Sequence, residues 1–390
     1  MITKITNGKF ILPNGICEGI NLYLEDRSIL EITSEDLPSD RIIDAKGKYI
    51  SSGFIDIHVH GGGGFEFIDG TKESILGAMN VHLNHGTTTI FPTISAYSLN
   101  DTCRALESIR EVKTSEECIS TIGGVHLEGP YFSPKQCGAQ DIGYIRLPDA
   151  EEYKALVERF GDLIARWSYA PELEGAEDFQ RFLKEKNIVG SIGHSDAEIE
   201  DVESVWELGC KLITHLYSCT STVVRRGGFR HLGIIESAWL YDDMDVEVIA
   251  DGCHLPPKLL KMIYKLKGTE HICLVTDAIR FGGMDHLKQN LGKTENFPYI
   301  IEDGVAKLND RSAFAGSIAT ADNLVRICSQ KAGIPLLDTV KMVTEVPARI
   351  MKLPKKGKLK SGFSADLIIF DEKIKISKVI LGGKDVNIKE

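Results

Sequence analysis

The 390-residue chain has no CxxC pair, and its nine cysteines are scattered and odd in number. That excludes a disulfide framework and points to a reducing compartment. No apolar run approaches the roughly 20 residues of a membrane span. The opening MITKITNGKF carries lysines but no apolar stretch of signal-peptide length. The expected location is therefore the cytoplasm. Excess positive charge is also missing, since the formal net charge is -11. This argues against nucleic-acid and membrane-surface partners, although a few local arginines would suffice to hold one phosphate. The run Gly61–Gly64 lacks the lysine and hydroxyl of a GxxxxGK[ST] phosphate loop and reads as a mobile loop. Repeats and low-complexity tracts are absent as well.

What is there is an alternation. Eight β-like segments run through the middle: GFIDIHVH, TTTIFPT, STIGGVHLEG, IARWSYAP, NIVGSIGH, CKLITHLY, VEVIADG and HICLVTDA. Helical patterns fall between several of them, at Lys72–His85, Asn100–Lys113, Asp149–Phe160, Ala176–Lys186, Ala197–Leu208 and Pro256–Lys267. A further helix is expected over Ala319–Ala332. The weakest unit is Thr222–Asp243, read as an irregular basic loop before a short apolar stretch. The pattern predicts an α/β chain, a (β/α)8 TIM-type barrel over residues 53–354. Turn signals at Asn7-Gly8 and Pro13-Asn14-Gly15 separate short alternating strands near the start, and DLIIF and VIL read likewise near the end. Residues 1–52 and 355–390 are thus expected to build one small β-sandwich domain from both termini.

Six metal-capable side chains stand near the ends of these β-like runs: His58, His60, Glu128, His194, His215 and Asp277. Barrels of this type place their chemistry at the C-terminal ends of strands, so the six predict a metal site at one mouth. His58 and His60 are two apart on a strand and share a face. A carboxylate at Glu128 could bind one metal or bridge two. Imidazoles at His194 and His215 suit zinc or iron. Asp277 could take a proton from water and return it to a leaving amine. His254, in ADGCHLP, could help hold a tetrahedral oxyanion. His126 shares the strand face of Glu128 and reads as a core or supporting histidine. The basic segment Val223–Arg230 contains arginines suited to phosphate.

The order GFIDIHVHG, HLEGP, GHSDA, THLY, ADGCHLP, LVTDA and AGS resembles the N-acetylglucosamine-6-phosphate deacetylase family of the amidohydrolase superfamily. The resemblance implies hydrolysis of an N-acetyl group to acetate and an amino-sugar phosphate, with one or two divalent metal ions, zinc or iron, and a homodimer. It implies metal ligation by Glu128, His194 and His215, with His58 and His60 adding a second metal. Asp277 matches the acid/base, which would also face the metals, and His254 the group that polarises the substrate carbonyl. Arg226 falls at the phosphate-binding arginine. Two departures lie on the sugar side. Ser218-Cys219-Thr220 stands where the family usually has Asn-Ala-Met, and Gln140 stands where it usually has a substrate-contacting histidine. These positions, Ser218, Cys219 and Gln140, are the expected substrate contacts with altered chemistry. They leave open a related N-acetylhexosamine phosphate such as the galacto epimer. A dihydroorotase-like cyclic amidohydrolase is disfavoured, because the strand bearing Glu128 offers no lysine for carboxylation. A barrel that binds without catalysis is disfavoured by the intact ligand set.

Overall fold

A computed structural model describes residues 1–284, the backbone of Gly292 and Lys293, and residues 299–386. Eight parallel staves form its centre: β1 (Phe54–Val59), β2 (Thr87–Ile94), β3 (Val125–Glu128), β4 (Ile164–Tyr169), β5 (Val189–Ile192), β6 (Leu212–Ile213), β7 (Asp245–Ile249) and β8 (Ile272–Val275). Each pairs in parallel with the next, with register shifts between β1 and β2 and between β3 and β4. The last returns to the first, where the Asp277 amide donates to the His58 carbonyl at 2.8 Å. The continuous burial of β1, β2 and β8 explains their unbroken apolar character, since both faces of such a sheet are covered.

The outer helices begin where capping side chains stand. Thr71 accepts from the Ser74 amide at the start of α1 (Lys72–Asn84), and Ser98 from the Asp101 amide at the start of α2 (Leu99–Thr114). Asp149 caps α3 (Ala150–Phe160) in the same way. Along α2 the buried residues Thr102, Ala105, Leu106, Ile109 and Val112 recur at helical spacing and face the staves. The ring continues with α4 (Ala176–Glu185), α5 (Ile199–Glu207), α6 (Ile234–Leu240) and α7 (Pro257–Lys267).

Three segments differ from the sequence expectation. Thr222–Asp243 contains an antiparallel hairpin, Val224–Arg226 with Phe229–His231, followed by α6. Its turn uses Gly227 and Gly228, both at positive φ, which suits the twist of a two-residue hairpin. The expected helix at 319–332 is α8 (Ala321–Arg326) followed by a π-helical turn, Ile327–Lys331. The Gly61–Gly64 run is pinned: Gly61–Gly62 pairs with Phe65–Glu66, and the Gly63 and Gly64 amides donate to Gly282 and Arg280 carbonyls at 2.9 and 2.7 Å. A Cβ on Gly61 would lie 2.1 Å from the Phe65 carbonyl oxygen, so this close approach requires glycine.

Both termini meet in one sheet. Leu367–Phe370 pairs antiparallel with Tyr49–Ser52, within a six-stranded sheet. A four-stranded sheet, including Ile2–Thr6 and Asn21–Glu25, shares its core: Ile5, Leu22 and Leu24 pack with Phe10, Ile50, Leu367 and Ile380.

The barrel and its helices lock together at Phe179 of α4, whose ring lies 5.1 Å from those of Tyr131 and Trp167 and 5.3 Å from that of Tyr169. Phe179→Ala should destabilise the fold by about 3–5 kcal/mol. Denaturant unfolding should show this as a lower midpoint at unchanged slope; an unchanged midpoint would contradict it.

Candidate metal centre

The six side chains converge at the mouth formed by the strand ends. They fall into two groups whose ligand atoms lie within 4.8 Å of one another: His58, His60 and Asp277, and Glu128, His194 and His215. Glu128 joins them. Its Oε1 is 3.1 Å from the Nε2 atoms of both His194 and His215, and 3.5 Å from His58 Nε2. Its Oε2 is 3.4 Å from His60 Nε2. Asp277 Oδ1 lies 3.4 Å from His58 Nε2 and 3.1 Å from His60 Nε2.

The opposite edge of every imidazole is engaged. Nδ1 of His58 faces Glu247 Oε2 at 3.0 Å, and Nδ1 of His60 faces Ser95 Oγ at 3.1 Å. Nδ1 of His194 meets the Gln136 carbonyl at 2.9 Å, and Nδ1 of His215 the Ser218 carbonyl at 3.1 Å. Donation from each Nδ1–H leaves each Nε2 lone pair aimed at the common centre. His58 Nε2 is fully buried and has no hydrogen-bond partner. Four imidazole lone pairs and two carboxylates facing one another need a cation between them, so these donors fit one or two divalent metals of the zinc or iron kind.

The electrostatics agree. Burial disfavours a charged His58, yet the carboxylates of Asp277, Glu247 and Glu128 outweigh it and push the ring up to about 10. Burial likewise opposes charge on His60, and Asp277 and Glu128 push it up to about 9. Burial raises Glu128, but the surrounding imidazoles, His58 first, hold it well below the usual carboxylate range. The carboxylates thus favour positive charge at His58 and His60, whereas burial lowers His215.

Placing these candidate ligands strains the backbone. His194, His215 and Asp277 have φ of 48, 30 and 47°, and Tyr217 and Cys219 follow at 77 and 49°. Non-glycine residues at such angles cost roughly 1–3 kcal/mol each and gather at functional sites.

A cavity of ≈ 620 Å³ opens over this cluster, lined by Gln140, Ser218, Cys219 and His254 together with His60, Glu128, His194, His215 and Asp277. Its size suits a small substrate. Gln140 donates from Nε2 to Glu128 Oε2 at 2.8 Å, and its Oε1 accepts from the Ala96 amide at 2.9 Å. His254 Nδ1 faces Asp251 Oδ2 at 2.8 Å. Arg226 does not line this cavity. It projects outward from the hairpin, is about half exposed, and pairs with Glu198. His126 stands behind the ligands, with Nε2 on Ser168 Oγ at 2.6 Å and Nδ1 near Thr93 Oγ1 at 3.3 Å. Several lining residues escaped the sequence reading: Glu66, Tyr97, Tyr144, Arg280 and Tyr299. Arg280 bonds Glu66 and Asp69 at 2.8 and 3.1 Å, a link between the ends of β1 and β8 that spacing alone does not reveal. Among the described residues, no lysine lines the cavity.

The amidohydrolase family profile matches residues 49–389. The N-acetylglucosamine-6-phosphate deacetylase of Lysinibacillus sphaericus is 30% identical over 97% of this chain and 96% of its own length. The chain is an amidohydrolase of the N-acetylglucosamine-6-phosphate deacetylase family. An aspartate-to-alanine variant of the Mycobacterium smegmatis deacetylase, solved with N-acetyl-D-glucosamine-6-phosphate, superposes with a TM-score of 0.88 at 25% identity, covering 99% of this chain and 98% of that one. The N-acetylgalactosamine-6-phosphate deacetylase of Shewanella sp. (strain ANA-3) is 28% identical over 85% of this chain and 82% of its own. This amidohydrolase therefore shares the family's barrel as well as its motifs.

His194→Asn or His215→Asn should lower bound zinc, measured by elemental analysis after dialysis. His126→Gln, which alters a ring with both nitrogens turned to hydroxyls, should leave it roughly unchanged. Equal losses from all three would contradict this assignment of ligands.

Proposed function

We propose that this amidohydrolase cleaves the N-acetyl group of N-acetylglucosamine 6-phosphate, giving acetate and glucosamine 6-phosphate. The observation that carries the reading is the Glu128-bridged set of His58, His60, His194, His215 and Asp277 at the floor of a substrate-sized cavity. The kinship reported above supports the sugar phosphate as substrate. A divalent cation at this site, zinc or iron, supplies the Lewis acidity that makes water a nucleophile near neutral pH. Asp277 takes a proton from the attacking water as the new C–O bond forms at the acetamide carbonyl. Asp277 then returns that proton to the nitrogen as the C–N bond breaks. Asp251 Oδ2, 2.8 Å from Nδ1 of His254, fixes the ring at the cavity wall, where His254 helps hold the developing oxyanion.

Ser218, Cys219 and Gln140 are proposed substrate-side contacts, with Gln140 also steadying Glu128. Arg226 stands outside the cavity of its own chain, so its proposed role with the phosphate needs the hairpin to reach a second copy. That fits the homodimer the family resemblance implies. The scattered free cysteines fit a cytoplasmic location.

Zinc-loaded protein should release acetate from N-acetylglucosamine 6-phosphate faster than from the galacto epimer or the unphosphorylated sugar. A preference for the galacto epimer would move the substrate assignment to that sugar, and failure on all amino-sugar phosphates would overturn the proposal. Asp277→Asn should lower kcat by about 10²–10⁴-fold. His254→Asn should lower it by about 10²–10³-fold. Full turnover in either variant would remove that residue from its role.

A further inference from the structure

Beneath the ligands lies an ion pair that the chemistry above does not use. Glu247 of β7 and Arg166 of β4 are both fully buried and paired side by side through Glu247 Oε1. Glu247 Oε2 faces His58 Nδ1 at 3.0 Å and accepts from the His215 amide at 3.2 Å. Both oxygens are therefore committed. Arg166 is fixed in turn by Ser191 Oγ at 3.0 Å, Thr214 Oγ1 at 2.9 Å and the Ile57 carbonyl at 3.4 Å. Burying two charges is tolerated only where such partners surround them.

This arrangement singles out His58. Among the four metal-facing imidazoles, His60 rests on a hydroxyl, and His194 and His215 rest on carbonyls. Only His58 has a carboxylate behind it. A carboxylate on Nδ1–H fixes the ring orientation, holds the Nε2 tautomer and strengthens Nε2 as a donor.

We propose that the Glu247–Arg166 pair is the positioning device for the cation at His58, His60 and Asp277, and that the other half of the centre does not depend on it. The proposal rests on the two-metal reading of the site. Arg166 holds Glu247 in place, Glu247 orients His58, and His58 with His60 then presents two nitrogens to one cation. The Glu128–His194–His215 half keeps its own carbonyl supports, touched by Glu247 only through a backbone amide.

The test is zinc content per chain, by elemental analysis of purified protein and by competition with a chelator. Wild type should hold two zinc ions. Glu247→Gln should keep one and weaken the other by about 10- to 100-fold. The double variant Arg166→Met with Glu247→Gln, which leaves no uncompensated guanidinium, should show the same selective loss and guards against failure of the single variant to fold. Circular dichroism reports the fold in each case. Two zinc ions at wild-type affinity in either folded variant would overturn the proposal alone, as would loss of both ions from a folded variant. A single zinc in the wild type would overturn the two-metal reading and this proposal with it.

Discussion

A carboxylate buried to 2% exposure at the mouth of a barrel cannot remain charged without positive partners close by, and Glu128 is that carboxylate. Everything at the mouth is arranged around it. The imidazoles of His194 and His215, just past β5 and β6, approach Oε1, which His58 of β1 also faces, and His60, just past β1, approaches Oε2. Gln140 occupies the remaining lobe of its second oxygen. The same cluster that satisfies Glu128 faces Asp277, so the proposed acid/base group and the proposed metal donors share one electrostatic environment. Hydrolysis needs that coupling, because the proton leaving water must find an acceptor beside the nucleophile it creates.

The barrel supplies what no single segment could. Parallel staves end at one rim, and residues just past those ends turn inward. The turn is sharp enough to force His194, His215 and Asp277 into left-handed backbone conformations. Packing offsets the strain: the aromatic cluster around Phe179 and the closure of β8 on β1 hold the rim rigid. Behind the rim, a layer of Ser168, Ser191, Thr214, Arg166 and Glu247 joins neighbouring staves by side-chain hydrogen bonds. That polar layer sets ring orientation, while the apolar layers around it exclude water. Removing one partner of a buried charge pair of this kind costs about 3–5 kcal/mol, because the other charge is left uncompensated.

Much of this was legible in the chain because its signals are local. A strand and the ligand at its end lie within ten residues, as in GFIDIHVH and HICLVTD. The DLIIF run likewise announced the strand Leu367–Phe370, though not its partner Tyr49–Ser52. Other features are long-range and have no local trace. Glu247 and Arg166 are 81 residues apart, and each alone looks like an outward charge on an alternating strand. The hint was a lone charge inside a run such as VEVIA, with its opposite inside IARWSY. The hairpin of Tyr299–Glu302 and Val305–Leu308 turns at Asp303-Gly304, both at positive φ, and lies outside the strand–helix alternation that marks the barrel. Arg226 shows the converse: a residue type that suits phosphate, carried by its hairpin onto Glu198 rather than into the cavity.

Glu128 is proposed to join two metal positions into one hydrolytic centre. Anomalous scattering at the zinc edge, from crystals of the zinc-loaded protein, tests it directly. Two peaks should flank the Glu128 carboxylate, one beside His58, His60 and Asp277 and the other beside His194 and His215. A single peak, or peaks away from Glu128, would contradict this arrangement.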